Sequence, residues 1–382
     1  MPTMPFGLLL LWLLGLLSLA MVGGGLYLLW AWYVGVVVGT GYLVGSVVML
    51  VLTLTGRWLV LLFHPAGRDE PTAARTGTAQ RIERPDGAAL QVEEYGPAAG
   101  PVLILTHGNG TNSTAWYYAK RQLADRFRLI LWDLPGLGKS EGPRDNDYHL
   151  ERMARDLEAV LQSTGDRPVV LVGHSIGGMI VQTFCRLFPQ HLGARVAGLV
   201  LLDTTYTNPV KTTTGSGFFR AVQKPLLEPL LYLMIWLSPV VWLMNWLSYF
   251  NGSAHLASIL TGFAGSETRG QLDFATRFTP LASPAVQARN TLAMFQFDAT
   301  PYLAAINIPV LALVGHLDRM TIPEASAYIS EQVPIGQLAK VAPGGHMALL
   351  EQHEQVMHQI GEFAARCTRS NGNGKRAVNA VA

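Results

Sequence analysis

The feature that most constrains this chain is a charge-free N-terminal stretch: residues 1–56 contain no Asp, Glu, Lys or Arg, and Arg57 is the first charged side chain. Residues 6–29 are predominantly apolar, and residues 34–54 are apolar and uncharged again. About 20 apolar residues suffice to span the hydrocarbon core of a bilayer. The sequence therefore predicts a membrane anchor over residues 1–65, built as a hairpin of two helices or as one long span.

The alternative to a retained anchor is a cleaved signal peptide, which has a basic first segment and a short apolar core. The first seven residues, MPTMPFG, carry no basic side chain, and the apolar run is much longer than such a core. We therefore expect the segment to be retained. The glycine triplet at 23–25 or the aromatic run at 30–33 would mark the turn of a hairpin, with the aromatic rings at the membrane interface.

Basic residues predict the orientation of the anchor. Arg57, Arg68, Arg75 and Arg81 follow the last apolar segment, and no basic residue precedes the first. Loops rich in Lys and Arg face the cytoplasm. A hairpin anchor in the inner or plasma membrane would therefore place the rest of the chain on the cytoplasmic side.

Beyond the anchor, the composition is that of a globular protein. Charged residues make up 14% of the chain, against about 25% in a typical soluble domain, and the deficit is concentrated in the first 56 residues. The net charge of +2, without a basic stripe interleaved with aromatics, argues against a nucleic-acid partner. Cys185 and Cys367 are too few for a disulfide framework and too far apart for a metal-ligand cluster, which leaves one bridge or two free thiols.

From residue 72 onward, short apolar runs end in glycine or an acidic residue. Residues 80–84 and 90–95 flank Pro-Asp-Gly and predict a β-hairpin. Six further strands are expected at 102–105, 129–132, 169–172, 199–202, 310–314 and 338–341. Helices are expected between several of them, as at 150–162 and 177–188. Apolar strands that alternate with helices indicate an α/β fold with a mostly parallel sheet, whose ligands bind beyond the carboxyl ends of the strands.

The alternation breaks between residues 204 and 308, an interval too long for a simple crossover. We interpret 204–308 as a helical cap, inserted between core segments 66–203 and 309–367, with an apolar face that can rest in the membrane interface. The rival interpretation is a third membrane span at 230–250, which has no charge. Pro239 lies at its centre, and one more crossing would separate Ser175 from Asp318. Residues 368–382, rich in Asn and Gly, predict a disordered tail.

Residues 173–177 read Gly-His-Ser-Ile-Gly and lie directly between a predicted strand and a predicted helix. This is the G-x-S-x-G nucleophile-elbow pattern in the context that supports it. The two glycines leave room for a sharp turn, and the N–H of Ile176 at the helix start can face a developing oxyanion. The pattern predicts Ser175 as a catalytic nucleophile, whereas an isolated G-x-S-x-G is often only a structural turn.

Three other segments offer partners for Ser175. Residues 107–110, His-Gly-Asn-Gly, end an earlier strand, so the N–H of Asn109 is the expected second oxyanion donor; a plain flexible loop is the alternative. His346 follows the last strand in a glycine-flanked loop and is the expected general base, because imidazole titrates near neutral pH. Asp318 is the expected carboxylate partner of that base, with Asp203 as its rival.

On these motifs, residues 80–365 resemble the α/β-hydrolase superfamily. Residues 132–140, WDLPGLGKS, resemble its D-x-P-G-x-G-x-S stretch, and residues 173–178 resemble its nucleophile elbow. The segments around Asp318 and His346 resemble its acid and base loops, in the order that this fold implies. A serine at the elbow argues against the haloalkane dehalogenase and epoxide hydrolase branches, which use aspartate. The anchor and the apolar cap look most like the monoacylglycerol-lipase-like enzymes, by analogy.

The resulting hypothesis is a membrane-anchored serine esterase that works through an acyl-enzyme, without a metal or organic cofactor. An apolar cap and an anchor both lie where acyl chains partition, which favours a lipid ester or another hydrophobic ester as substrate. Thioesterases, C–C bond hydrolases and perhydrolases use the same triad and remain alternatives. The rival from another class is a non-catalytic membrane binding protein on a hydrolase fold.

Overall fold

The computed structural model describes residues 4–379, with the side chains of residues 9, 10 and 12–369. One sheet of eight strands forms the centre of the molecule. The strands are β1 (Thr78–Glu83), β2 (Ala89–Tyr95), β3 (Val102–Thr106), β4 (Arg128–Trp132), β5 (Val169–His174), β6 (Val196–Leu202), β7 (Val310–Gly315) and β8 (Gly336–Val341). Their order across the sheet is β1-β2-β4-β3-β5-β6-β7-β8.

The first two strands form an antiparallel hairpin, and β2 also pairs antiparallel with β4. All other pairings, from β4 to β8, are parallel. The prediction of an α/β fold with a mostly parallel sheet is therefore confirmed. The central strands β3, β5 and β6 are buried at every position, which is why their sequences are continuous apolar runs rather than alternating ones.

Helices cover both faces of the sheet and follow the strands along the chain. They are α1 (Met4–Tyr33), α2 (Thr40–Leu61), α3 (Tyr117–Leu123), α4 (Leu150–Gln162), α5 (Ile176–Leu187), α6 (Ser216–Val222), α7 (Glu228–Trp236), α8 (Ser238–Phe250), α9 (Ser253–Gly262), α10 (Arg269–Leu281), α11 (Pro284–Phe295), α12 (Pro323–Gln332), α13 (Ala348–Glu351) and α14 (His353–Asn379). Helices α4, α5 and α12 contribute to the apolar core on one face, and α3 and α14 contribute to the core on the other.

The two N-terminal helices are each long and apolar enough to cross a membrane, over Trp12–Tyr33 and Thr40–Leu61. The chain reverses between them at residues 34–39, after the aromatic run. The alternative turn at the glycine triplet 23–25 is wrong, because α1 runs through it. Gly25 lies where the two helices are close: Ser46 Oγ donates to the Gly25 carbonyl oxygen at 2.8 Å, and a Cβ on Gly25 would press against Leu50.

The segment between β6 and β7 forms the helical insertion α6–α11. Within it, the apolar stretch 230–250 is not one straight helix, because the chain bends by 97° between Trp236 and Ser238. Pro239 starts the second arm as a residue of the first turn of α8, a position where proline fits a helix. Helix α7 packs on α11, which in turn contacts the sheet's loops. This arrangement favours the cap over a third straight span.

The C-terminal segment differs from its sequence prediction. Residues 368–379 continue α14 as a helix, whereas 368–382 predicted a disordered tail; residues 380–382 lie outside the described residues. The first part of the helix packs on the core through a buried face that includes Val356, Ile360, Phe363 and Cys367. Adding a residue to an existing helix is far less costly than starting one, so low apolar content beyond Cys367 does not end it. Both Cys185 and Cys367 are free and buried.

Candidate active site

Ser175 lies on a strained turn between the end of β5 and the start of α5. Its backbone has φ 55° and ψ −121°, a conformation that costs free energy for a residue with a Cβ and that concentrates at functional sites. The flanking glycines make the turn possible. A Cβ on Gly173 would collide with the backbone of α5, and a Cβ on Gly177 would collide with the carbonyl oxygens of Thr106 and His107.

His346 and Asp318 form a buried pair across the ends of β7 and β8. His346 Nδ1 is 2.9 Å from Asp318 Oδ2. Asp318 Oδ1 accepts hydrogen bonds from the N–H groups of Met320 and Thr321, at 2.8 and 3.0 Å, and Oδ2 accepts one from Thr321 Oγ1 at 2.6 Å. Burial by itself raises the pKa of Asp318, but the adjacent imidazole and these donors outweigh it and lower the pKa below its usual value. The carboxylate is thus fixed where it orients the ring.

The rival carboxyl, Asp203, makes no hydrogen bond to His346 in the described structure. It lies at the end of β6 with φ 45°, and its Oδ1 accepts from the N–H of Gly315 at 2.7 Å. Complete burial, followed by the negative charge of Asp318, holds the pKa of Asp203 well above its usual value. The ionised form of Asp203 is therefore disfavoured relative to that of Asp318, and the geometry assigns the pairing with His346 to Asp318.

Two backbone N–H groups are free at the predicted oxyanion site. Neither the N–H of Asn109 nor that of Ile176 has an acceptor within residues 4–379. The Asn109 side chain ties its loop to the cap helix α11: Nδ2 donates to the carbonyl of Gln287 and to Thr291 Oγ1, both at 3.2 Å, and Oδ1 accepts from Asn290 Nδ2 at 3.0 Å. The cap therefore helps to set the position of a loop that belongs to the core.

Sequence inspection did not single out His174, the residue before the nucleophile. Its Nε2 donates to the backbone carbonyl of His346 at 3.0 Å, and its ring packs against the His346 ring with centroids 5.1 Å apart. Burial, and then the neighbouring His346, lowers the pKa of His174 to about 3, so the ring is neutral and its proton lies on Nε2. His174 holds the loop that carries the candidate base.

Glu351 was also missed, because in sequence it is an ordinary helix residue. Its carboxylate accepts hydrogen bonds from the N–H groups of Gly345, Ala264 and Ser266, at 2.9–3.0 Å. It thereby joins the loop before His346 to the cap segment between α9 and α10. No local pattern could reveal this role, since the three donors lie on two distant parts of the chain.

Three other polar residues of the sequence motifs lie away from the Ser175–His346 site or support its loops. His107 is buried; its Nδ1 donates to the Gly108 carbonyl oxygen at 2.8 Å and its Nε2 accepts from the Leu134 N–H at 2.9 Å, so it stabilises a loop. His316 is exposed. Asp133, from the D-x-P-G-x-G-x-S stretch, is buried and paired with Arg75 at 2.8 Å. His107 and Asp133 thus stabilise loops of the core, and His316 lies at the surface.

A cavity of about 280 Å³ lies between the cap and the candidate catalytic residues. On the core side it is bounded by Ser175, His346 and the loop 108–111. On the cap side it is bounded by side chains of α7, α9, α10 and α11, most of them apolar, such as Leu231 and Phe278. A molecule in this cavity would meet Ser175, the His346 imidazole and the loop that carries Asn109 at one end and a mainly apolar wall at the other.

Comparison with known proteins agrees with this fold. A family model described as alpha/beta hydrolase fold matches residues 101–224. The chain is 28% identical over 313 residues to the polyketide synthase ThaQ of Burkholderia thailandensis, a match that covers 81% of this chain but 14% of that protein. It is 26% identical over 269 residues to the pimeloyl-(acyl-carrier protein) methyl ester esterase of Vibrio campbellii, covering 70% of this chain and 95% of the esterase.

Among solved structures, a bacterial membrane phospholipase A superposes with a TM-score of 0.60 at 20% identity, covering 90% of this chain and 97% of that one. Such a low identity establishes the fold alone. Together, the family match, the parallel sheet with its inserted cap and the strand-to-helix turn at position 175 agree with one another. The chain therefore has the α/β-hydrolase fold, and its residues 101–224 match the family model of that description.

Proposed function

We propose that this protein is a membrane-anchored serine hydrolase that cleaves a carboxylic ester of a hydrophobic acyl group through an acyl-enzyme. The observation that carries the proposal is geometric. Ser175, on a strained turn, shares one cavity with His346, and the His346 Nδ1 is held by Asp318 at 2.9 Å. A nucleophile, a base and a group that orients the base are the parts that acyl transfer requires.

The proposed reaction has two halves. Ser175 Oγ attacks the ester carbonyl carbon while His346 Nε2 takes the hydroxyl proton, and the N–H groups of Asn109 and Ile176 stabilise the oxyanion. The bond to the alcohol oxygen then breaks, and His346 returns the proton to the leaving alcohol. In the second half, His346 takes a proton from water as the water attacks the acyl-enzyme. His346 then returns that proton to Ser175 Oγ as the bond between this oxygen and the acyl carbon breaks, and the carboxylic acid is released.

The cavity and the relatives support a hydrophobic ester. The cap side of the cavity is lined mainly by apolar side chains, which match an acyl chain better than a polar one. The names of two similar proteins, a methyl ester esterase and a membrane phospholipase A, refer to ester cleavage. A thioesterase would use the same triad, and we rank it second because acyl thioesters offer the same hydrophobic group to the same cavity.

The membrane part of the proposal has support of its own. Two helices suit a membrane by length and composition. Large apolar side chains on the cap helices α7 and α8 are exposed, among them Trp236 at 78% and Trp242 at 48%. Arg57 lies in the last turns of the second span and Arg68 follows it. Both favour a cytoplasmic catalytic domain, whereas Arg75 is already paired with Asp133 and Glu93.

The proposal is tested by turnover and by trapping of the intermediate. Purified full-length protein in phosphatidylcholine vesicles is assayed with p-nitrophenyl esters and matching acyl thioesters of increasing chain length, beside the Ser175→Ala variant. We expect ester hydrolysis by the wild type, a loss of roughly 10⁶-fold in the variant, and an acyl adduct on the peptide that contains Ser175. Equal hydrolysis by both proteins would contradict the serine mechanism, and faster turnover of thioesters would favour the second candidate.

A further inference from the structure

The first anchor helix is packed against the cap. Ser18 Oγ, on α1, lies 3.1 Å from Ser248 Oγ on α8 and accepts a hydrogen bond from Asn251 Nδ2 at 2.7 Å. One turn earlier, Gly15 faces Met244, and a Cβ at that position would overlap the methionine side chain. The anchor and the cap are thus joined by buried polar contacts and close packing rather than by a flexible linker.

The second anchor helix meets the same end of α8. Gly56 lies directly against the backbone carbonyl of Asn251. The Arg57 guanidinium stacks over the rings of Tyr249 and Phe250, with centroid distances of 4.7 and 5.6 Å, a favourable cation–π arrangement. Both anchor helices therefore fix the cap at the end of the hairpin from which the catalytic domain continues.

These contacts define how deep the cap lies if the two helices cross the bilayer. The second span ends at Leu61, so Gly56 lies five residues, or roughly 8 Å, inside it at the helical rise of 1.5 Å per residue. Asn251 of the cap contacts Gly56 at that level. This depth corresponds to the boundary between headgroups and acyl chains, where interfacial helices bury about 5–10 Å. Exposed apolar side chains of α8 and α9 face outward there: Val240, Trp242, Leu243, Leu256 and Leu260.

A second cavity, of about 130 Å³, lies between the anchor and the cap. Leu14 of α1 forms one side of it, and Ala254 and Ala257 of α9 form another. It shares three wall residues with the active-site cavity: Ser258, Thr261 and Thr279. These side chains are short, so the wall between the two cavities is thin.

We propose that the second cavity is the membrane-side part of the acyl-binding path, so that an acyl chain reaches Ser175 laterally from the bilayer, between α1 and α9. The active-site cavity of about 280 Å³ is at the lower end of the size range of ligand pockets. A long acyl chain would extend past Thr261 into the second cavity, with Leu14 along its side. The anchor then forms a wall of the substrate path as well as a tether, and the substrate class is an ester drawn from the lipid phase.

This inference rests on the proposed ester hydrolysis, and the experiment separates the two. Full-length protein in phosphatidylcholine vesicles is assayed with p-nitrophenyl butyrate in solution and p-nitrophenyl palmitate dissolved in the vesicles. In Leu14→Trp, the larger side chain fills the second cavity. Leu13→Trp is the matched control, because Leu13 is the neighbouring leucine of α1 and is 66% exposed.

We expect Leu14→Trp to lower kcat/KM for the palmitate roughly tenfold or more, a typical discrimination by an apolar pocket, and to leave butyrate hydrolysis within about twofold. Leu13→Trp should leave both substrates unchanged. Ala257→Phe fills the cavity from its other wall and should reproduce the chain-length effect, which guards against a folding defect of one variant. Retained butyrate turnover reports a folded catalytic core.

The inference is overturned if both cavity-filling variants hydrolyse palmitate as fast as the Leu13→Trp control, or if they lose butyrate and palmitate hydrolysis equally while remaining folded. In those cases wild-type butyrate turnover, absent in Ser175→Ala, would still support the proposed function. If the wild type hydrolyses neither ester, the proposed function and this inference fail together.

Discussion

Two buried carboxyl groups near His346 should respond in opposite ways to the same isosteric substitution. In Asp318→Asn, Oδ1 keeps its two backbone N–H donors, at 2.8 and 3.0 Å, because only an oxygen can accept them. The new amide NH₂ must therefore occupy the position of Oδ2, 2.9 Å from His346 Nδ1. An amide nitrogen donates and cannot accept, so the ring is driven to the tautomer with its proton on Nε2.

The size of the effect follows from that tautomer. Nε2 with a proton cannot take the proton of Ser175, and the matching substitution in the Ser-His-Asp proteases lowers kcat about 10⁴-fold. Four decades correspond to about 5.4 kcal/mol of transition-state stabilisation. We expect a loss of this order in Asp318→Asn, with a nearly unchanged KM for a short ester.

Asp203→Asn should leave kcat within a few-fold of wild type. Asp203 makes no hydrogen bond to His346 in the described structure, and an amide oxygen can replace its Oδ1 as acceptor for the N–H of Gly315. The pKa shifts predict opposite effects on stability. The folded-state pKa of Asp203 is raised. The free energy of unfolding of the wild type therefore falls as pH rises above the unfolded-state pKa near 3.9. Asp203→Asn lacks this decrease. The folded-state pKa of Asp318 is lowered, so Asp318→Asn is destabilised at neutral pH and this deficit disappears as pH falls.

Steady-state hydrolysis of p-nitrophenyl butyrate at neutral pH and urea unfolding between about pH 2 and 8 measure both effects on the same preparations. Equal activity of Asp318→Asn and wild type would refute the assignment of the acid. A 10⁴-fold loss in Asp203→Asn, with a folded protein, would show that the rival carboxyl is the one that supports the base.

Three further substitutions test the support of the site. Gly177→Ala should lower the free energy of unfolding by about 1–3 kcal/mol, because its Cβ would meet backbone carbonyls at the end of β3. Gly217→Ala is the control, since a Cβ there meets nothing within 4 Å. Equal urea midpoints of the two variants would contradict the prediction. Glu351→Gln should lower the free energy of unfolding by about 2 kcal/mol and lower kcat, since the Glu351 carboxylate accepts hydrogen bonds from three N–H groups around the loop that carries His346. Urea unfolding and steady-state kinetics measure both effects, and an unchanged urea midpoint would contradict the prediction. Asn290→Ala removes the side-chain donor to Asn109 Oδ1. It should lower kcat for a short ester roughly fivefold, equivalent to about 1 kcal/mol. Unchanged kinetics would show that the cap does not position the loop that carries Asn109.

The sheet and the catalytic segments could be predicted from sequence because their signals are local. Each central strand is a continuous apolar run that ends at a glycine, an acidic residue or a cluster of both, and residues 173–177 contain their own structural context. Asp318 and His346 were identifiable because each follows a strand whose carboxyl end lies at the same edge of the sheet. The choice between Asp318 and Asp203 needed the structure, because both follow neighbouring strands.

Contacts between distant segments were not predictable. The packing of α1 and α2 against α8 depends on Ser18, Asn251 and Arg57. These residues have no distinctive spacing in the sequence. Glu351 acts through backbone donors almost ninety positions away. His174 was closer to discovery, since it occupies the variable position beside the nucleophile, but its role depends on the His346 carbonyl that folding brings to it.

The most direct test of the central claim is labelling of the membrane fraction with a fluorophosphonate probe, with wild type beside Ser175→Ala. The probe reacts with a serine only where a base activates it, so it reports the nucleophile without knowledge of the substrate. We predict labelling of the wild type at Ser175 and none of the variant. A folded wild type that remains unlabelled, or a variant that labels equally, would contradict the account and would favour a non-catalytic membrane binding protein on this fold.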